Sequence, residues 1–367
     1  MLSNRTLFLA GIGICVIVAL YFKGKLSPST LSFITPTLKS VQKKPVILTW
    51  NKFFGSRLAP VMRDSDCLHE CIVTENRSNL QVADAVIFHL SDMRSYDLPS
   101  IRLPRQYYIF LTGEPLEYIG RVLFEKYKTK SGQHYKIPDD FFNLTVTYRT
   151  DSDIYSPYGN FLPIEDSRRR SDRARNTVKT IFERPNLVLQ FVSNCKTPSR
   201  REKYIEQLKQ HINITQLGKC FGGLCSKECA DRAIDEHKFY LSFENSVCRD
   251  YITEKIYLRL GKVLPVVLKR STYSGFIPDD AFIAADDFKC PEDLAKHLKY
   301  LGSNYTAFSK YFEWTNRWKL ERLSEPCLLC KFLHEKNGTV KILRNVREWW
   351  YDEKRCDKHY AEQLICR

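Results

Sequence analysis

Short apolar runs alternate with polar stretches along most of the chain. In the first half VILTW (46–50), ADAVIFHL (83–90) and QYYIFLT (106–112) are each bounded by polar or turn residues. Runs of that length predict strands of a buried sheet. The polar stretches between them predict helices, the alternation of an α/β layer. In the second half NLVLQFVSN (186–194), HKFYLSF (237–243) and VLPVVL (263–268) predict strands, with helices at SRREKYIEQLKQH (199–211) and DYITEKIYLRL (250–260) between them. Strand, helix, strand, helix, strand is a doubly wound unit. PEDLAKHLKYL (291–301) adds an amphipathic helix. A polar, arginine-rich break at 165–176 reads as a domain boundary. The predicted fold is therefore α/β, with two Rossmann-like domains at 45–165 and 176–350 facing across a cleft and a tail at 351–367.

The N-terminus follows another pattern. Leu7 to Phe22 is an uncharged apolar run between Arg5 and Lys23. As a helix it spans about 24 Å, short of the ~30 Å core of an average bilayer and suited to a thin early-secretory membrane. No small-x-small cleavage site follows it, so the run reads as a transmembrane signal anchor rather than a cleaved signal peptide. The expected order is a cytoplasmic tail (1–6), the anchor (7–22) and a stem (23–44) rich in Ser, Thr and Lys and interrupted by Pro28 and Pro36.

Composition narrows the compartment. The 367 residues are 43% hydrophobic and 13% aromatic, as in a folded protein, with no internal repeat or low-complexity tract. The formal charge is +15, much of it local: Lys23, Lys25, Lys39, Lys43 and Lys44 follow the apolar run, and Arg168, Arg169, Arg170, Arg173 and Arg175 form a second cluster. Both read as solvated stretches, and without a recognised module no nucleic-acid partner is expected. Of 13 cysteines, Cys15 lies in the apolar run. The even remainder fits a disulfide-bonded lumenal domain. N-x-[ST] sequons at Asn76, Asn143, Asn213, Asn304 and Asn337 agree, so residues beyond 23 are expected to face the secretory lumen. Cys327 and Cys330 form a CxxC whose candidate second pair is Cys67 and Cys71, and in an oxidising compartment two disulfides are preferred to zinc.

The second half also carries the candidate chemistry. HKFYLSF runs into Glu244-Asn245-Ser246 and a helix expected to begin near Asp250. Ligands of open α/β sheets bind beyond the carboxyl ends of strands, where helix N-termini face them. On that helix Tyr251, Glu254 and Lys255 share one face by spacing, while Ile252, Ile256 and Leu260 share another. An ammonium there suits a diphosphate, and a carboxylate beside it suits ribose hydroxyls.

FYLSFENSVCRDYITEKIY (239–257) resembles the donor-binding signature of the α1,3-fucosyltransferases, glycosyltransferase family 10, in which F-x-F-E-N-S leads to D-Y-[IV]-T-E-K. VSNCKTPSRREKY (192–204), TYRTDSDIYSPYG (147–159) and PCLLC (326–330) are similar in the same order, so the resemblance covers most of the chain from Val46 to Trp350. It implies a GT-B fold and inverting transfer of L-fucose from GDP-β-L-fucose to O3 of an N-acetylglucosamine in a glycan antenna or N-glycan core. Lys255 and Arg201 would neutralise the diphosphate, Glu254 would hold ribose, Tyr251 and Asn245 would line the donor site, and Val192, Ser193 and Asn194 would lie near the guanine or phosphates. Glu114, in IFLTGEP after the third strand, corresponds to the base, and His89 to a histidine of the acceptor half. No bound cofactor or metal site is implied, manganese or magnesium being at most stimulatory. Asp151-Ser152-Asp153 is accordingly read as structural, despite its DxD pattern. The implied setting is the Golgi membrane, single-pass type II.

The chain departs from the family pattern in two places. GKVLPVVLK has Leu264 before Pro265 and Lys269 where a glycine is usual, and His237 replaces a cysteine. The partner of Cys195 is thereby open between Cys229 and Cys248, with Cys220 and Cys225 able to close a short loop. Cys67 and Cys71 resemble the pair that ties the first half to the C-terminal CxxC. The alternatives are a catalytically silent Golgi relative that binds glycans, which has no reason to keep Glu114, Arg201, Glu254 and Lys255 together, and a secreted disulfide-rich lectin, which requires cleavage after the apolar run.

Overall fold

The computed structural model describes residues 43–366 apart from 65, 120–126, 129–133, 136, 166–170, 322, 336–341, 344–345 and 351–355. The apolar run at 7–22, the stem up to residue 42 and Asn337 lie outside the described residues, among which no helix is long and apolar enough to cross a membrane.

The predicted runs form two parallel sheets within the unit Pro45–Arg367. In the first, β1 (Val46–Thr49), β3 (Ala85–His89) and β4 (Tyr107–Thr112) are the expected strands. Three more were not foreseen: β2 (Ile72–Thr74), β7 (Leu144–Thr147) and β8 (Ile154–Tyr155). A hairpin of β5 (Tyr127–Lys128) and β6 (His134–Tyr135) stands apart, and the sheet order is β2-β1-β3-β4-β7-β8. The stretch between β2 and β3 is a 3-10 turn at Arg77–Gln81 rather than the expected α-helix, capped by the Asn76 side chain.

After β9 (Asn160–Pro163) the second sheet contains β10 (Asn186–Phe191), β11 (Ile214–Leu217), β12 (His237–Leu241), β14 (Leu264–Val267) and β15 (Ile283–Ala284), in the order β11-β10-β12-β14-β15. Helices Arg201–Leu208, Lys227–Asp235 and Pro291–Ser303 flank it. β13 (Val247–Cys248) lies outside this sheet. In both sheets the central strands are buried on both faces, as parallel sheets require.

Two expectations about boundaries are corrected. The arginine-rich break is shorter than its composition suggests: Ser171–Phe182 is a helix whose Val178 and Ile181 join the second sheet's core. Apolar residues at helical spacing override the polar composition. The C-terminal segment also does not stay with the second sheet. β16 (Trp318–Glu321) pairs antiparallel with β9, and helix Glu325–Glu335 buries Leu329 and Leu333 against the first sheet. Val346 and Trp350 join the first sheet's other core face. The chain then returns, β17 (Cys356–Asp357) pairing with β13 and Ala361 entering the second core.

Disulfides record this interleaving. Cys67–Cys327 and Cys71–Cys330 fasten the C-terminal helix to the first sheet, as the resemblance implied. The open pairings resolve otherwise: Cys195 joins Cys220, Cys225 joins Cys229, and Cys248 joins Cys356. Not every cysteine beyond the apolar run pairs, since Cys290 and Cys366 remain thiols. Asn143 is corrected as a glycan acceptor: it is 1% exposed and its Oδ1 accepts from the Tyr108 amide and from Arg102, so nothing can be attached there in the folded chain. Asn76 and Asn213 are exposed and Asn304 half-buried.

Candidate active site

In a doubly wound sheet the ligand crevice opens where successive connections leave a strand pair on opposite sides. In the second sheet that point lies between β10 and β12. β10 leads to Val192, Ser193 and Asn194, of which Val192 is buried, Ser193 exposed and Asn194 half-buried. β12 leads through Phe243 to Glu244 and Asn245. Arg201, the first residue of its helix and 4% exposed, donates to the carbonyls of Phe243 and Asn194, tying the two strand ends together. Burial lowers its pKa while the nearby Glu244 carboxylate opposes that. A guanidinium remains charged under either influence.

Glu244 organises the rest and was given no role in the sequence reading. It is 3% exposed, and its Oε1 accepts from the Thr253 amide at 2.9 Å and hydroxyl at 2.7 Å. Its Oε2 lies 2.9 Å from Lys255 Nζ. Lys255 also touches Thr253 Oγ1 at 3.0 Å and Glu254 at 3.5 Å. Burial would lower Lys255, but Glu244 and Glu254 outweigh it and hold its pKa above the ordinary lysine value. The signal for Glu244 was available: a carboxylate at a strand end, followed by a lysine that must be neutralised while no anion is bound. Asn245 Oδ1 and Ser246 Oγ beside it are buried with no partner among the described residues.

The helix carrying Glu254 and Lys255 is shorter than predicted. It spans Glu254–Tyr257 and is capped by Thr253, whose hydroxyl accepts from the Lys255 amide. Asp250 has φ 64° and instead accepts at Oδ2 from the amide and hydroxyl of Thr150, fastening this loop to the one after β7. Tyr251 therefore does not share a helix face with Glu254 and Lys255. It is 2% exposed and packs on Tyr148 with ring centroids 5.1 Å apart, beneath the site rather than on its surface. Glu254 is exposed and Lys255 half-buried.

The first sheet contributes Glu114. It follows β4 and Gly113, where an added Cβ would lie 2.6 Å from the Tyr158 hydroxyl, which itself donates to the Gly113 carbonyl. Burial pushes the Glu114 carboxyl above its ordinary range, Lys255 pulls it down, and Glu254 and Glu244 push it up again. The end of β4 is therefore within electrostatic reach of the residues that follow β12. Asn194 Nδ2 crosses in the same direction, donating to Tyr118 Oη at 2.6 Å.

His89 ends β3 and is 1% exposed, its Nδ1 2.9 Å from Asp92 Oδ2. Burial lowers its pKa more than Asp92 raises it, so the ring is neutral. The DSD carboxylates are structurally engaged: Asp151 receives Arg149, and Asp153 receives the amide and hydroxyl of Thr145. Each described grouping of His, Cys and acidic side chains close enough for a shared ion contains a disulfide pair, which supplies no thiolate.

The chain has recognisable relatives. The family model "Fucosyltransferase, N-terminal" matches residues 42–159, and "Glycosyltransferase family 10 (fucosyltransferase) C-term" matches 181–349. The 3-galactosyl-N-acetylglucosaminide 4-alpha-L-fucosyltransferase of Pan troglodytes is 32% identical, covering 89% of this chain and 85% of that one. The 4-galactosyl-N-acetylglucosaminide 3-alpha-L-fucosyltransferase 9 of Bos taurus is 35% identical over 77% of this chain and 75% of its own. A crystal structure of an alpha1,3-fucosyltransferase with GDP-fucose shares the fold, with TM-score 0.50 and 15% identity over 84% of this chain and 95% of that one.

Proposed function

The chain belongs to glycosyltransferase family 10, the fucosyltransferases, and from that membership and the site geometry we propose that it transfers L-fucose from GDP-β-L-fucose to O3 of an N-acetylglucosamine with inversion. The observation that carries this reading is that Glu114, after β4 of the first sheet, lies within electrostatic reach of Lys255, after β12 of the second, while Asn194 after β10 bonds to Tyr118 after β4. Transfer of a glycosyl group with inversion needs a base behind the attacking hydroxyl and positive charge behind the departing diphosphate. Glu114 supplies the base. Lys255 and Arg201, at the end of the second sheet, supply the charge.

In this mechanism Glu244 is the resting counter-ion of Lys255. When GDP-fucose enters, its diphosphate shares the ammonium with Glu244. Glu254, exposed beside it, is placed for the ribose hydroxyls, and Asn245 Oδ1 offers a buried acceptor to a donor group of the nucleotide. The Glu114 carboxylate takes the proton of the acceptor O3 as that oxygen attacks the anomeric carbon and the bond to GDP breaks. The two sheets with their facing strand ends suit a GT-B enzyme, with the anchor at 7–22 setting the catalytic unit in the Golgi lumen as a type II protein. A stimulatory divalent cation would act on the departing diphosphate rather than occupy a protein site.

The relatives' names differ in the hydroxyl that receives fucose, O3 or O4, so O3 is this chain's expected linkage and not an inherited one. Incubating the protein with GDP-fucose and a panel of antenna and core glycans, then locating the new linkage by NMR, tests the whole reading. Transfer to O3 that disappears in Glu114→Ala supports it. Absence of transfer to any glycan, with Glu114→Ala indistinguishable from the parent, overturns it.

A further inference from the structure

From Cys356 onward the chain runs along the second sheet as a strap that touches the segments forming the donor crevice. At its start Cys356 is bridged to Cys248, and Asp357 receives Lys269 from the loop after β14 at 2.5 Å. The His359 and Ala361 amides then donate to the carbonyls of Pro198 and Ser199 at 2.8 and 2.9 Å, just ahead of Arg201. Tyr360 Oη donates to Asp286 Oδ2 at 3.0 Å, and Ala361, Leu364 and Ile365 pack on the second core.

Ser199 carries that grip into the site. Its amide donates to the Asn245 carbonyl and its hydroxyl to the Glu244 carbonyl, each at 2.8 Å. The Glu244 carboxylate in turn holds Thr253 and Lys255. A shift of the strap at 359–361 is thus passed through contiguous hydrogen bonds to the surroundings of Lys255 and Arg201.

The two ends of the strap are secured differently. The near end has the Cys248–Cys356 bridge. The far end reaches Cys366, an exposed thiol that adjoins the half-buried thiol of Cys290, the residue preceding helix Pro291–Ser303. Tyr204, buried on helix Arg201–Leu208, lies near both. Two neighbouring thiols, one of them open to solvent, suit thiol–disulfide exchange.

We propose that Cys290 and Cys366 are a reversible disulfide site whose closure latches the strap and tightens the donor crevice. The effect on the crevice rests on the donor reading given above, whereas the bridge itself does not. The oxidant is a low-molecular-weight disulfide such as glutathione disulfide. Cys366, as thiolate, attacks one of its sulfurs and releases one glutathione. Cys290, as thiolate, then attacks the Cys366 sulfur and releases the second. Two electrons pass to the glutathione, and the two cysteine protons end on the departing thiolates. With the five structural bridges and this one closed, Cys15 is the one cysteine left over of the thirteen.

The test equilibrates the full chain with glutathione at several reduced-to-oxidised ratios and maps its peptides without reduction. A Cys290–Cys366 linked peptide should form under oxidising ratios, alkylation falling from three cysteines to one, and should open under ratios that leave the other bridges closed. On closure, hydrogen exchange at the amides of 359–361 should slow, and the GDP dissociation constant and the KM for GDP-fucose should both fall about fivefold, the lower end of ordinary coupling between sites. The acceptor KM should stay within about twofold. Cys366→Ser, a change at an exposed side chain, and Cys290→Ser should each hold these values at the reduced level in every buffer. Absence of the linked peptide overturns the proposal, as does a bridge that raises the unfolding midpoint while exchange at 359–361 and GDP affinity stay unchanged. The two readings separate cleanly. Redox-dependent GDP affinity without fucose transfer keeps the latch and sinks the transferase assignment, whereas transfer with a donor KM indifferent to redox state does the reverse.

Discussion

The two strand-end crevices of this molecule are built alike and furnished oppositely. Both open at the switch point of a parallel sheet, between β1 and β3 in one and between β10 and β12 in the other. The second is dense in charge that is already balanced, Lys255 against Glu244 and Glu254, with Arg201 buried on two carbonyls. The first is aromatic and contains carboxyls, Glu114 and Glu325, that burial leaves protonated more readily than usual. A charged ligand and a neutral one need these two environments. Binding a diphosphate calls for positive charge held ready without an unpaired cation in the resting state, and deprotonating a hydroxyl calls for a carboxylate of raised basicity.

The largest expected effect breaks the first crevice. Glu114→Ala should lower kcat by about 10²- to 10⁴-fold, the usual range for a positioned general base, with the KM for GDP-fucose unchanged. Because burial raises the Glu114 pKa, the basic form grows with pH, and kcat/KM should climb on the acid side through a limb lying above the ordinary glutamate range. A limb within the ordinary range would argue for another base. Next is the second crevice: Lys255→Met should raise the KM for GDP-fucose by about 10- to 100-fold, the worth of a charge-assisted hydrogen bond to an anion. Part of that loss belongs to Glu244, left buried and unpaired, so Lys255→Met combined with Glu244→Gln should recover stability measured by unfolding. Strictly additive unfolding energies would contradict the pairing.

The sequence made the second crevice far more legible than the first. Its strands are long apolar runs, and the site residues come from two contiguous stretches, 192–201 and 244–255, so spacing alone brings most of them near each other. Helix periodicity misled most at Asp250–Thr253, where a positive φ and the Thr253 cap delay the helix, which also ends early at Tyr257. The first crevice is assembled from Phe53, His89, Gly113, Tyr158 and Glu325, five separate segments joined by long-range packing and a bridge from Cys67 to Cys327. No local pattern announces a residue that reaches its site from the far end of the chain. For the same reason the tie of 325–350 to the first sheet was invisible to a boundary drawn from composition.

The bridges sharpen the contrast on a smaller scale. Cys67–Cys327 and Cys71–Cys330 run side by side, so with one intact the other closes a loop of only a few residues rather than the 259 between its cysteines. Removing one should therefore cost about 2–3 kcal/mol and removing both about 8, on the chain-entropy relation, read by denaturant unfolding. The loss should weaken acceptor binding before donor binding, since both bridges brace the wall of the first crevice. Cys195–Cys220 follows directly on Val192–Asn194 and should show the converse, a raised KM for GDP-fucose with acceptor KM preserved. Equal effects on both substrates from either bridge would mean that the crevices are not separately supported.

The smallest effect distinguishes the crevices by pH. Glu325 is raised from the usual 4.5 to about 7 by burial, against the Ser156 hydrogen bond. A folded-state pKa above the unfolded one means that folding favours the proton, so this stabilisation is complete below about pH 4.5 and is lost as pH rises through 7. The full shift corresponds to about 3 kcal/mol, and because the first crevice admits solvent about 1–2 kcal/mol is expected. Glu325→Gln keeps the side chain neutral throughout. It should match the parent at pH 4.5 and exceed it in unfolding free energy at pH 8, whereas Lys255, raised above the ordinary lysine value, should leave no mark between those pH values. Parallel stability curves for parent and Glu325→Gln would show that the carboxyl ionises as readily in the folded chain as in the unfolded one, and the first crevice would then carry its charge at neutral pH.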